Sequence, residues 1–225
     1  MLGAMTILAF VRLASAFEGH VIDAATGKGI ADATVTSALQ VIKSGGTGHF
    51  TMGAGGETVM ARAPGYRAVT MSFERFSGTS EVRLEPFQPK ALYLSFYGIG
   101  YKPTRDAALN LIRESHLNAL TIDVKGDRGL VAYHTAVTRA REIAADRITT
   151  IPDLPGLLRQ LHAEGIYAIA RIVVFKDEPL AEARPDLAVK DGKGGIFRDR
   201  ERLAWTDPFR HEVWDYNVAI AVEAS

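Results

Sequence analysis

Asn118-Ala119-Leu120-Thr121-Ile122-Asp123-Val124-Lys125 is a nearly continuous apolar run that acquires two charges at its carboxyl end. Such a run reads as a strand buried in a parallel sheet. Side chains alternate along a strand, so Thr121, Asp123 and Lys125 share one face and Ile122 and Val124 the other. The face that meets covering helices must be apolar, which turns Asp123 and Lys125 toward the mouth of the sheet. Upstream, Ala91 to Tyr97 is a similar strand ending at Gly98. It is followed by a helix capped near Thr104, with Ala107, Ala108, Leu111, Ile112 and Ser115 on one face. Downstream, Asp153 to Glu164 places Leu154, Leu157, Leu158 and Leu161 on one helical stripe, with Gly165 as the stop. Ile166 to Phe175 reads as a third strand and His211 to Ala224 as a third helix.

Strand–helix alternation implies parallel strands covered by helices. An open dinucleotide-binding sheet would need a third glycine after the first strand. Gly98-Ile99-Gly100-Tyr101-Lys102-Pro103 lacks it, and Pro103 blocks a helix at the phosphate position, which favours a (β/α) barrel. In a barrel the loops after the strands build the site. Alternation puts Arg171 with Ile169 and Val173 on the third strand, and Tyr93, Ser95 and Tyr97 together on the first. A buried charge must be paired or meet solvent or ligand, so Asp123, Lys125 and Arg171 form either a binding site or an internal ion-pair network.

The segment from Lys176 to Phe209 is too long for a connector. It carries Lys176-Asp177 and Trp205-Thr206-Asp207-Pro208. A Trp beside an Asp suits a sugar, the ring stacking on C–H surface while the carboxylate bonds hydroxyls; alternatively Trp205 packs the loop onto the rim. The candidate catalytic carboxylates are therefore Asp123 and Asp207. The candidate substrate-binding residues are Tyr97, Lys125, Arg171, Lys176, Asp177 and Trp205.

The first part of the chain, Phe17 to Phe87, has a different rhythm. Short alternating segments at Gly19–Asp23, Ile30–Thr36, His49–Met52, Thr58–Ala63, Ala68–Phe73 and Glu81–Leu84 are separated by turn residues, as in an all-β sandwich. The glycines at 45–48 and 53–56 precede no Lys-Ser/Thr and helix, so they read as hairpin turns rather than phosphate cradles. The order "GHVIDAATGKGIADATVTSA", "TGHFTM", "TVMARAPGYRAV" resembles the carboxypeptidase regulatory-like (transthyretin-like) domain. The resemblance implies folding support, docking or adhesion rather than catalysis.

With 26 basic and 26 acidic residues in 225, no net field draws nucleic acid or anionic lipid. No cysteine is present, which excludes disulfides, thiolate nucleophiles and Cys-ligated zinc. His211-Glu212-Val213-Trp214-Asp215 ends in Asp where a zinc motif needs His, and no metal or cofactor is expected. Met1 to Ala16 has an apolar run and an Ala-Ser-Ala end suited to export, implying a secreted or cell-envelope protein; no segment reaches transmembrane length.

The segments "ALYLSFYGIG", "NALTIDVKGDRG", "GIYAIARIVVFKDEPLAEARPDLAVKDGKGGIFRD", "LAWTDPF" and "VWDYNVAIAVEA" resemble a glycosyl hydrolase domain family found in bacterial envelope proteins. That resemblance, over 88–225, implies the opening part of a TIM-type barrel related to amylase-like glycosidases. It places the nucleophilic Asp on a strand after residue 225, in a Phe-Asp-Tyr-x-Arg-like motif. The expectation is a multidomain chain, sandwich then truncated barrel, inactive by itself and prone to associate. The alternative is a non-catalytic polysaccharide-binding or envelope-scaffold protein.

Overall fold

The computed structural model describes residues 16–53 and 56–225. The candidate export signal, up to residue 15, lies outside the described residues. The chain divides into two compact units, Met1–Gln88 and Pro89–Ser225, in a mixed α/β structure with several sheets.

In the first unit, β1 (Ala16–Asp23) lies between β4 (His49–Gly53), antiparallel, and β7 (Glu81–Leu84), parallel. A second sheet, wholly antiparallel, runs in the order β3 (Val41–Lys43), β2 (Thr34–Thr36), β5 (Thr58–Arg62), β6 (Val69–Ser72). Alternation supplies the core: Phe50 and Met52 point inward from β4, and Val59 and Ala61 from β5, into one cluster with Val21, Val35 and Leu84.

Two expectations need correction here. Ile30–Thr36 is not one strand. Asp32 takes a left-handed φ of 55°, which Asp tolerates better than most residues. Ser44 replaces the ladder there, its hydroxyl donating to Ile30 O at 2.7 Å and accepting from Ala33 N at 2.9 Å. Nor is the unit wholly β: α1 (Phe73–Thr79) is capped by Ser72, whose side chain accepts from Arg75 N, and it buries Phe76 in a stack on Phe50 at 5.6 Å.

The second unit is built on β8 (Ala91–Leu94), β9 (Ala119–Lys125) and β10 (Tyr167–Ile172), all parallel and ordered β10-β9-β8. β9 is central and almost wholly buried, as its apolar run requires. β8 stops at Leu94, short of the strand expected to Tyr97. Ser95 caps α2 (Phe96–Gly100) instead, its hydroxyl accepting from Gly98 N at 3.2 Å, so Ser95 and Tyr97 leave the strand face. α3 (Lys102–Arg113) begins ahead of Thr104 because Pro103 sits in its first turn, where a missing N–H costs nothing. Its buried face is Ala108, Leu109 and Ile112, and Leu111 turns outward.

The stretch between β9 and α5 (Leu154–Ala163) carries α4 (Thr138–Glu142) and buries Leu130, Val131, Ala132 and Tyr133. Asp153 caps α5, accepting from Gly156 N at 2.8 Å. The long segment after β10 holds α6 (Glu178–Ala183), a short 3-10 turn (Pro185–Leu187) and isolated bridges, and leads to α7 (His211–Glu223). Glu223 anchors the end of α7 by accepting from the Tyr133 and Thr135 hydroxyls and from Ala136 N.

Candidate active site

Parallel register decides which groups meet at the carboxyl ends of the three strands. Arg171 of β10 lies opposite Asp123 of β9, and Tyr93 of β8 lies opposite Thr121, one diagonal step away. Asp123 Oδ1 accepts from Arg171 Nη1 at 2.6 Å. Its Oδ2 accepts from the Tyr93 hydroxyl at 2.6 Å and from Phe96 N, the first residue of α2, at 3.1 Å. Arg171 also donates to the Tyr93 oxygen at 3.2 Å and to Asp127 Oδ1 at 3.3 Å. Desolvation, then the bond to Asp123, pushes the Tyr93 hydroxyl up to about 12, so it stays a donor at any physiological pH. The bond to Asp123 likewise raises Arg171.

Lys125, two residues further along the same strand, belongs to a different environment. The register shifts between Arg171 and Ile172, and the lysine is carried inward to 0% exposure. Its Nζ lies 2.7 Å from Asp177 Oδ2 and donates to Val173 O at 2.7 Å and Asn217 Oδ1 at 3.1 Å. Asp177, also fully buried, caps α6 through Oδ1, which accepts from Leu180 N at 3.0 Å. Burial lowers the Lys125 pKa and raises that of Asp177, and their mutual attraction works against both shifts. Lys125, expected at the mouth, and Asp177, expected to bind substrate from the long segment after β10, are therefore internal and tie β9 to α6 and α7.

The turn that follows β9 separates the two pairs. Gly126 N donates to Leu130 O at 2.9 Å. A Cβ on Gly126 would stand 2.9 Å from Phe96 Cβ; on Gly129, whose φ is +74°, it would stand 2.4 Å from Asp177 Oδ1. Only glycine lets this turn lie against both. Asp127 and Arg128 at its tip are exposed, and they line an open cleft of about 180 Å³ with Tyr93, Tyr97, Asp123 and Glu201.

The remaining candidates stand apart from this cleft. Trp205, half-buried, donates from Nε1 to Asp199 Oδ2 at 3.0 Å. Lys176 pairs with Asp199 at 3.0 Å and with Glu201 at 2.5 Å, so it reaches the cleft only through Glu201. Desolvation favours the neutral Asp199 carboxyl, but hydrogen bonds from Trp205, Leu203 N, Lys176 and Glu201 N outweigh it and hold the pKa down at about 2. Trp205 thus pins its own loop. Asp207 Oδ1 accepts from Phe209 N at 2.9 Å in a local turn and does not line the cleft. Asp123 and Asp207 are not brought together there. The sequence reading missed Asp127, Arg128 and Glu201. The signal for the first two was the Gly126–Gly129 frame, which forces a tight turn at a strand's carboxyl end; nothing local marks Glu201. Among the described residues, no group of three or more His, Cys, Asp or Glu side chains is placed to hold a metal ion, and no helix is long and apolar enough to cross a membrane.

Residues 91–225, the whole of this sheet and its helices, match the family described as "Putative glycosyl hydrolase domain". The chain belongs to that family. Membership supports a glycosidase-like function and a carbohydrate ligand. A crystal structure of a hypothetical protein from Ruminiclostridium thermocellum ATCC 27405 is similar at 34% identity and a TM-score of 0.53, over 59% of this chain and 69% of that one. An alpha-galactosidase from Thermus thermophilus, in complex with p-nitrophenyl alpha-D-galactopyranoside, aligns at 17% identity and a TM-score of 0.43, over 85% of this chain and 42% of that one. A streptococcal ancillary pilin aligns at 20% identity and a TM-score of 0.25, over 32% and 29%. No curated protein matches the chain.

Proposed function

We propose that the second unit is a glycoside-hydrolase-type domain acting on an extracellular or envelope polysaccharide, with the cleft beside Asp123 as its sugar site. One observation carries the reading: Tyr93, Asp123 and Arg171, from three parallel strands, meet at the strands' carboxyl ends beside an open cleft. In this reading the β8-β9-β10 sheet is part of a TIM-type barrel, supported by its parallel strands in chain order. The first unit is a regulatory-like β-sandwich with a role in folding support, docking or surface adhesion, a reading supported by two sheets sharing one core. Export rests on the Met1–Ala16 pattern alone.

A second reading, binding without hydrolysis, is favoured by one specific feature. Glycoside hydrolysis uses two carboxyl groups, roughly 5–5.5 Å apart for retention or 6.5–9.5 Å for inversion. Asp123 has both oxygens engaged, and Asp207 serves a local turn. The chain incubated with a panel of polysaccharides, assayed for new reducing ends and for retardation in affinity gels, separates the readings. New reducing ends support the hydrolase, retardation without them supports the binder, and neither response removes both.

A further inference from the structure

We infer that the cleft takes an uncharged sugar held by Asp127 and Glu201, and that Asp123 is a positioning residue that does not touch it. The inference rests on the carbohydrate reading above and assigns its contacts. A carboxylate offers about four lone-pair positions. Asp123 has three of them filled, by Arg171, Tyr93 and Phe96 N, and its side chain is only 3% exposed. One lone-pair position and a 3% exposed edge are all that it leaves to the cleft. Asp127 and Glu201 differ in kind. Their side chains are 59% and 68% exposed, each has, among the described residues, a single ionic partner, Arg171 and Lys176 respectively, and both line the cleft.

They also reach it from separate parts of the chain, the turn after β9 and the segment after β10, so a ring bound between them bridges the two walls. Tyr97 supplies the stacking face. It is 55% exposed and held edge-on against the buried Phe96 at 5.0 Å, which fixes its orientation. Charge then selects the class of sugar. Among the lining residues, Asp123, Asp127 and Glu201 face only Arg128 as a basic neighbour, and the cations behind them, Arg171 and Lys176, are already paired. A uronate or sulfate would enter a cleft with no surplus positive charge.

The test uses the full chain in native gels containing hydroxyethylcellulose, soluble starch or galactomannan, and in parallel gels with polygalacturonate or alginate. At least one neutral polymer should retard the wild type, more strongly than either acidic one. Asp127→Asn and Glu201→Gln should each weaken retention about tenfold, as loss of a hydrogen bond to a charged group does, with thermal midpoints unchanged. Asp123→Asn should shift one tyrosine's alkaline ultraviolet titration back toward its ordinary value, a signature of Tyr93 released from the carboxylate. Stronger retention by an acidic polymer, or retention untouched by Asp127→Asn and Glu201→Gln, overturns the assignment. If Asp123→Asn does not fold, the exposed-carboxylate variants still decide it. If no polymer of either class retards the wild type, the carbohydrate reading itself fails.

Discussion

Asp123 and Lys125 sit two residues apart on the same strand, yet one ends in a cleft and the other in a sealed interior. Asp123 pairs with an arginine whose side chain is 42% exposed, whereas Lys125 pairs with an aspartate at 0% exposure. Alternation puts both on one face; the register shift after Arg171 and the tight turn at Gly126–Gly129 then divide them. A charged residue pointing the right way along a strand is thus not yet a site residue. What separates the cases is whether its partner comes from a neighbouring strand at the cleft or from a helix packed underneath.

The sealed pair gives the largest expected effect. Lys125→Ala leaves Asp177 buried without its cation, and breaking such a pair costs roughly 3–5 kcal/mol. Urea denaturation should show that loss, and Lys125→Met combined with Asp177→Leu should recover much of it, because two apolar groups strand no charge. A single variant with unchanged stability would erase the distinction drawn between the two pairs.

Most of the second unit's framework was legible because its signals are local. The apolar run at 118–125, the Leu154–Leu161 stripe and Gly165 each act within their own segment, and the three strands and helices α5 and α7 follow from them. The expectation that Asp123 and Arg171 lie close needed only strand alternation, and they stand 2.6 Å apart. What could not be read depends on meetings between distant segments. Asp177 reaches Lys125 from 52 positions away because α6 begins there, and Glu201 enters the cleft through bridges that tie 176 to 205 and 198 to 204. The strand end at Leu94 was hidden for another reason. Ser95 fits a strand or a cap equally well, and only the bond to Gly98 N decides.

The cleft-side pair should respond to pH where the sealed pair's partners do not expose it. Tyr93 has its folded-state pKa raised to about 12 from an ordinary 10.0, first by desolvation and then by the bond to Asp123. A group raised on folding contributes stability in full below its unfolded value and loses it as pH rises through the folded one. The contribution should therefore be constant to about pH 10 and fall away toward about pH 12. Denaturation midpoints followed over that range should decline in the wild type and decline less in Tyr93→Phe, which cannot ionise. Equal slopes would show that folding does not raise the pKa of this hydroxyl.

Asp207 offers the smallest effect and sharpens the comparison from outside the strands. As a catalytic carboxylate its loss would remove activity or binding with little change in stability. As a turn residue, its side chain accepting from Phe209 N at 2.9 Å, its loss should cost about 0.5–1.5 kcal/mol, the net worth of a single hydrogen bond. Asp207→Ala should then lower the denaturation midpoint slightly and leave polymer retention where Asp127→Asn reduces it. Both variants remove one carboxylate from the same unit, so net charge cannot explain a difference between them. If Asp207→Ala abolishes retention at unchanged stability, the cleft extends to the segment after Trp205, and exposure beside β9 is not what selects the ligand-binding carboxylates.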